Sequence, residues 1–162
     1  MPWPEPGWTP IEPFPFAEAG RPFTGIARNK DVLSLRYFRK PDGQVVAIAH
    51  FGPGAMGAPG QAHGGAILTA LDEALGAAAW AAGYKVLTAR LTTDFRRSVP
   101  VGSELLAETR LLRARHRLVF VEGSLIGPDG TVYATAEGRF MELEEEHQKR
   151  LFGPRGARLA ES

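Results

Sequence analysis

Between Gly60 and Ala82 the chain reads GQAHGGAILTALDEALGAAAWAA, and no other stretch limits the fold as tightly. Small or apolar side chains fill almost every position. A helix built from them has no polar face, so it belongs inside a core. Eight alanines between Ala66 and Ala82 leave its surface thin, so neighbouring backbone can approach closely. Asp72 and Glu73 are the only ionisable residues after His63, and they interrupt the run near its middle. That argues against a bilayer span and for a central helix in a soluble core.

Other elements must cover that helix. The chain has 162 residues, 44% of them apolar and 23% charged, which suits one domain of ordinary size. A net charge of +1 gives no strong field for nucleic acid or an anionic membrane. The absence of cysteine excludes disulfides, thiolate metal sites and a cysteine nucleophile. It suits a cytosolic protein, and the N-terminus lacks a signal-peptide pattern, so the expected location is cytoplasmic.

Residues 1–22 hold seven of the thirteen prolines, with Trp3, Trp8, Phe14 and Phe16 among them. Proline this dense excludes helix and interior strand. A free arm rarely carries four large rings, so an extended arm packed on the domain or on a neighbouring subunit is expected. The domain is placed at 23–143 and a charged tail at 144–162.

Within 31–40, Leu33, Leu35 and Tyr37 alternate with Val32, Ser34, Arg36 and Phe38. Pro41-Asp42-Gly43 turns the chain into a second run over 44–51, which makes a β-hairpin. Residues 52–60 (GPGAMGAPG) form a loop into the helix. Gly83 is placed to end it. The run 85–97 alternates, with Leu87, Ala89, Leu91, Thr93 and Phe95 on one face and Thr88, Arg90, Thr92, Asp94 and Arg96 on the other. Strands follow at 103–113, 118–126 and 131–143, with a hairpin turn at Gly127-Pro128-Asp129-Gly130. Links this short impose antiparallel pairing. The predicted class is α+β, an antiparallel sheet wrapped around one long helix.

The start of the helix is a candidate site. Gly64 and Gly65 leave their amides unshielded, and first-turn N–H groups are unpaired and partly positive. Such a terminus holds a phosphate or polarises a carbonyl; a tight turn into the helix is the plainer alternative. Asp72 follows eight residues later, near the same helical face, where a buried carboxylate needs partners or a task. A surface aspartate on one exposed stripe is the other reading. Glu73 points about 100° away and reads as a solvent-facing or structural group. Eight residues of helix span about 12 Å, whereas attack on a carbonyl needs about 3 Å. If Gly64 and Asp72 act on one carbonyl, they come from two subunits.

Ala62-His63-Gly64-Gly65, then Asp72-Glu73, then a strand ending in Asp94-Phe95-Arg96-Arg97 and Pro100-Val101-Gly102, resembles the hotdog-fold acyl-CoA thioesterases. The likeness is to the subgroup with phenylacetyl-CoA-type thioesterases and the human thioesterase superfamily members, and it covers roughly 45–143. It implies a hotdog fold, dimers that pair sheets edge to edge, and an acyl-CoA substrate. It implies no metal and no organic cofactor. It assigns carbonyl polarisation to the Gly64 amide and the base or nucleophile to Asp72 of the opposite subunit. Thr88 matches the hydroxyl that helps hold the attacking water. Gly65, Arg96 and Arg97 become candidate substrate contacts, the arginines toward CoA phosphates. His63 is expected to fix the loop by hydrogen bonding, with proton transfer as the other reading.

One departure from the pattern matters. Many members carry Asn or Gln six residues before the histidine; here that position is Gly57. Gly57 and Gln61 are candidate substrate contacts: either Gln61 or a backbone amide takes the role, or catalysis is weaker. This departure keeps open a second reading, a hotdog module that binds acyl-CoA without hydrolysing it. A hydratase on the same fold is less well matched, because its motif places the histidine and acid differently. Arg113, Arg115, His116 and Arg117 read as a basic turn, either solvated or facing nucleotide phosphates. His50 and His63 lack a third ligand for zinc. The expected assembly is a homodimer or a tetramer built from dimers.

Overall fold

A computed structural model describes residues 2–15, 23–24 and 31–151, and statements of absence below refer to these. Seven strands form one sheet: β1 (Thr9–Ile11), β2 (Leu33–Arg39), β3 (Val45–Phe51), β4 (Val86–Phe95), β5 (Glu104–Arg115), β6 (Leu118–Ile126) and β7 (Val132–Glu142). One long helix, α1 (Gly64–Ala81), falls between β3 and β4. The strand order is β1-β2-β3-β5-β6-β7-β4, and every pairing is antiparallel. This is the predicted α+β arrangement.

The helix packs against β2 to β7, and its small residues determine how. Ala70, Leu71, Leu75, Ala77 and Ala79 are fully buried. Facing them, β5, β6 and β7 present Leu105, Ala107, Val119, Val121, Leu125, Ala134 and Phe140, all in the same core. Leu75 reaches deepest. A Cβ added at Gly123 would stand 2.8 Å from its Cδ2, and one at Gly138 would stand 3.3 Å from its Cδ1. Two strand glycines therefore make the hollow that seats the helix. Gly83 ends α1 with φ at +96°, its N–H bonded to the Trp80 carbonyl.

The loop at 52–60 contains one short 3-10 turn, Pro53–Ala55, and a bridge between Met56 and Ala62. The Ala62 N–H donates to the Val99 carbonyl and the His63 N–H to that of Ala55, so the start of α1 is tied to two other segments.

The alternation expected along 85–97 does not hold throughout. The β4–β7 register shifts between Thr88 and Arg90, leaving Ala89 as an extra residue. Thr88 pairs with the buried Phe140 and Leu91 with Gly138, so Thr88 faces the helix together with Leu91, Thr93 and Phe95. Arg90 faces away. Bulges of this kind re-aim side chains, and period-2 reading does not register them.

The proline-rich arm lies against the domain on both sides of one sheet edge. Trp3 and Trp8 join Phe38, Val46, Ile48 and Leu106 on the face away from the helix. Residues 9–11 then pair with β2, and Phe14 packs on the helix side against Tyr37 and Trp80, with ring centroids 5.7 and 6.5 Å away. Pro10 is tolerated because β1 is an edge strand. Phe16 lies outside the described residues, as does the tail beyond 151; residues 145–151 form a helical turn.

Candidate functional site

His63 is the N-cap of α1, and its Nδ1 accepts from the Gly65 N–H at 2.8 Å. Acceptance at Nδ1 places the proton of the neutral ring on Nε2. The histidine thus closes the loop around the helix start. This bond also separates the two glycines. The Gly65 amide is occupied by the His63 ring, whereas the Gly64 amide has no hydrogen bond among the described residues. The Phe95 ring stands 3.7 Å from where a Gly64 Cβ would be, so a side chain at 64 would touch it.

Asp72 lies two helical turns further on and is half-buried. The Thr88 hydroxyl donates to its Oδ1 at 2.8 Å. Burial pushes the Asp72 carboxyl above the usual carboxylate range, and the Thr88 hydrogen bond opposes that shift. The result is a carboxylate held in one orientation and more basic than a surface aspartate. The bulge at Ala89 lets Thr88 face Asp72 while Arg90 faces away.

Glu73 takes a different place. It accepts from the Tyr37 hydroxyl at 3.2 Å beneath the arm. Burial raises its carboxyl, the Tyr37 and Thr24 hydrogen bonds lower it, and the Asp72 charge raises it further. Tyr37 is itself pushed well up by burial, then by the Glu73 charge. Glu73 is a structural partner of the arm side of the helix.

Gly57 lies against His63. A Cβ at 57 would stand 2.9 Å from the His63 Cα and 3.2 Å from its Cβ, so the position has no room for a side chain. Its N–H donates to the Gln61 carbonyl at 2.8 Å, and Gln61 bridges to Pro100. The Gln61 Oε1 is buried without a hydrogen-bond partner, an orphan acceptor next to the helix start.

Arg96 and Arg97 follow the end of β4, where both backbone N–H groups donate to the Tyr133 carbonyl. Their side chains are exposed, and Arg96 lines a groove of about 490 Å³ on the outer sheet face with Thr92, Asp94 and Glu137. The supposed basic turn is largely strand: Arg113 and Arg115 belong to β5, and only His116 and Arg117 form the turn. Arg117 pairs with Glu144 at 3.0 Å. No group of three metal-ligating side chains occurs among the described residues.

Residues 59–134 match the profile of the thioesterase superfamily. Acyl-coenzyme A thioesterase THEM4 of Bos taurus is 34% identical over 121 residues, covering 72% of this chain and 50% of the relative. Acyl-coenzyme A thioesterase THEM5 of Mus musculus is 30% identical over 113 residues, covering 69% and 46%. The chain spans about half the length of these curated relatives. A crystal structure of a thioesterase superfamily protein superposes with a TM-score of 0.63 at 28% identity, covering 67% of this chain and 54% of that one. The helix-wrapping antiparallel sheet is the hotdog fold, and residues 59–134 within it match the thioesterase superfamily.

Proposed function

We propose that this protein hydrolyses acyl-CoA thioesters as a homo-oligomer, with each reaction centre shared by two subunits. The observation that carries the reading is the Asp72–Thr88 pair, a partly buried carboxylate with a raised pKa fixed by a hydroxyl. The match of residues 59–134 to the thioesterase superfamily and the acyl-CoA thioesterase relatives support the reaction class.

Asp72 accepts a proton from water as the water oxygen attacks the thioester carbonyl carbon. The Gly64 amide of the other subunit stabilises the oxyanion, aided by the partial positive charge of the helix start. The tetrahedral intermediate expels the thiolate of CoA, which takes the proton from Asp72, leaving free acid and CoA thiol. Two subunits are needed because Gly64 and Asp72 of one helix are about 12 Å apart along its axis. The exposed edge of β4 supports such a pairing, since Leu87 is 46% and Phe95 54% exposed there. Phe95 covers one side of Gly64 and is suited to line the acyl path.

The test is thiol release from short, long and aryl acyl-CoAs by wild type and Asp72→Asn. With no cysteine in the chain, a thiol reagent meets no protein background. Turnover with wild type and a loss of about 100- to 10,000-fold in Asp72→Asn is expected for removal of a general base. Binding without turnover would instead favour the non-hydrolytic module, the reading that Gly57 supports. Label found in the Asp72 carboxyl after a single turnover in oxygen-18 water marks direct attack, through an acyl-aspartyl anhydride that water opens at the aspartyl carbon.

A further inference from the structure

We propose that Arg90, Arg113 and Arg139 form a binding site for the phosphate groups of a nucleotide, on the sheet face opposite the helix. The site lies outside the Asp72–Gly64 machinery. Where the nucleotide is the substrate's own, the proposal rests on the acyl-CoA reading above.

The residues form one row across four strands. Arg113 of β5 is opposite Phe120 of β6, Phe120 opposite Arg139 of β7, and Arg139 opposite Arg90 of β4. The Arg113 guanidinium stands 4.1 Å from the Phe120 ring centroid and that of Arg139 5.8 Å. The three arginines and Phe120 line a cavity of about 270 Å³ with Thr92 and Glu137. Glu137 is the single carboxylate among those lining residues. None of the three arginines forms an ion pair among the described residues, whereas Arg36, Lys40, Arg110 and Arg117 all do.

Two features point to an anion. First, Arg90 and Arg139 are directly opposite each other, and like charges so placed destabilise a sheet unless something neutralises them. Second, two separate bulges build the row. The β5–β6 register shifts between Leu111 and Arg113, and the β4–β7 register shifts between Thr88 and Arg90. Without them, Arg113 would follow Leu111, and Arg90 would follow Thr88, onto the helix side. Each bulge turns one arginine outward into the same row as Arg139. Two guanidinium forks beside the Phe120 ring, with that of Arg90 on the strand opposite Arg139, suit phosphate oxygens bidentately.

The test is calorimetric titration with adenosine 3′,5′-bisphosphate and with inorganic pyrophosphate. Wild type is expected to bind both at low salt and more weakly as salt rises. Arg113→Gln and Arg139→Gln should each weaken binding about tenfold, the effect of losing a charge-assisted hydrogen bond. Without probe, Arg139→Gln should keep or raise Tm, since it relieves the Arg90 repulsion, and it should lose the probe-induced rise in Tm. Equal affinity in wild type and both variants, no binding at millimolar probe, or a fall in Tm on Arg139→Gln alone would each overturn the site. The source of the phosphate is read from the ratio of KM values for an acyl-pantetheine and the matching acyl-CoA. A ratio that collapses toward one in the double variant identifies the substrate's own nucleotide. A ratio that stays fixed while the probes bind identifies a free nucleotide, which should then alter turnover of acyl-pantetheine. Probe binding without any thioester hydrolysis would remove the proposed function and leave this site standing.

Discussion

The Thr88 hydroxyl donates a 2.8 Å hydrogen bond to the Asp72 carboxylate, linking the middle of the central helix to the edge strand of the sheet. That bond keeps a partly desolvated carboxyl more acidic than burial alone would leave it.

Thr88→Val removes the hydroxyl at nearly constant shape. The Asp72 carboxyl should then titrate at higher pH. A base works only when ionised, so the acid limb of the kcat profile should move toward neutrality. Turnover near pH 7 should fall about tenfold, from loss of a hydrogen bond to a charged group. An unmoved limb would show that Thr88 does not hold the carboxylate in solution.

Glu73 predicts a pH dependence of stability. Its folded-state pKa is raised, chiefly by burial, so the folded chain binds more protons than the unfolded one. The stabilising share is complete below the unfolded carboxyl pKa of about 4 and is lost as pH rises through the raised value. Glu73→Gln still accepts from Tyr37 but carries no charge. Its Tm should exceed that of wild type at pH 8 and match it at pH 4. A constant difference across that range would remove Glu73 ionisation as the cause.

Gly57→Ala should be costly although the residue is exposed. The added Cβ meets the His63 Cα at 2.9 Å, and backbone cannot swing aside as a side-chain tip can. A loss of about 1–3 kcal/mol is expected for such overpacking, read by urea unfolding. Because the displaced residue caps α1, thiol release should fall in the same variant.

The arm should contribute to stability from both faces. Trp8 packs on Phe38 at 6.1 Å, with the Lys40 ammonium 5.4 Å from its ring. Trp8→Ala should cost about 1–3 kcal/mol, less than the 3–5 of a fully buried ring. Phe14→Ala should admit water to Tyr37 and Glu73, and so weaken the pH dependence described above. Unfolding curves identical to wild type for both variants would mean that the arm is not docked in solution.

The central helix was legible because nine alanines and four glycines over 60–82 leave few alternatives to a buried helix. The strands were legible wherever alternation held, as at Leu33, Leu35 and Tyr37. Alternation failed at Ala89 and Leu112, where a bulge reverses the side-chain faces, and no residue type marks either position. The arginine row was illegible for the same reason and for another: Arg90, Arg113 and Arg139 become neighbours only through pairings between distant segments. Proline spacing indicated an extended arm but not the three residues that join the sheet. The absence of a side chain at Gly57 was visible in sequence; its cause, the close approach of His63, needed coordinates.

The two margins of the sheet are unequal. One ends in β1, three residues long with Pro10 at its centre, which lacks the N–H a further strand would need. The other ends in β4, ten residues long. Growth by strand addition is therefore open in one direction only. A second copy that joins along β4 uses the open margin of both molecules, and each outer end of the joined sheet is then a proline-blunted one. In the dimer proposed above, the contact that would complete the reaction centre would also terminate the polymer, so that a rise in concentration would fill pairs rather than lengthen fibres.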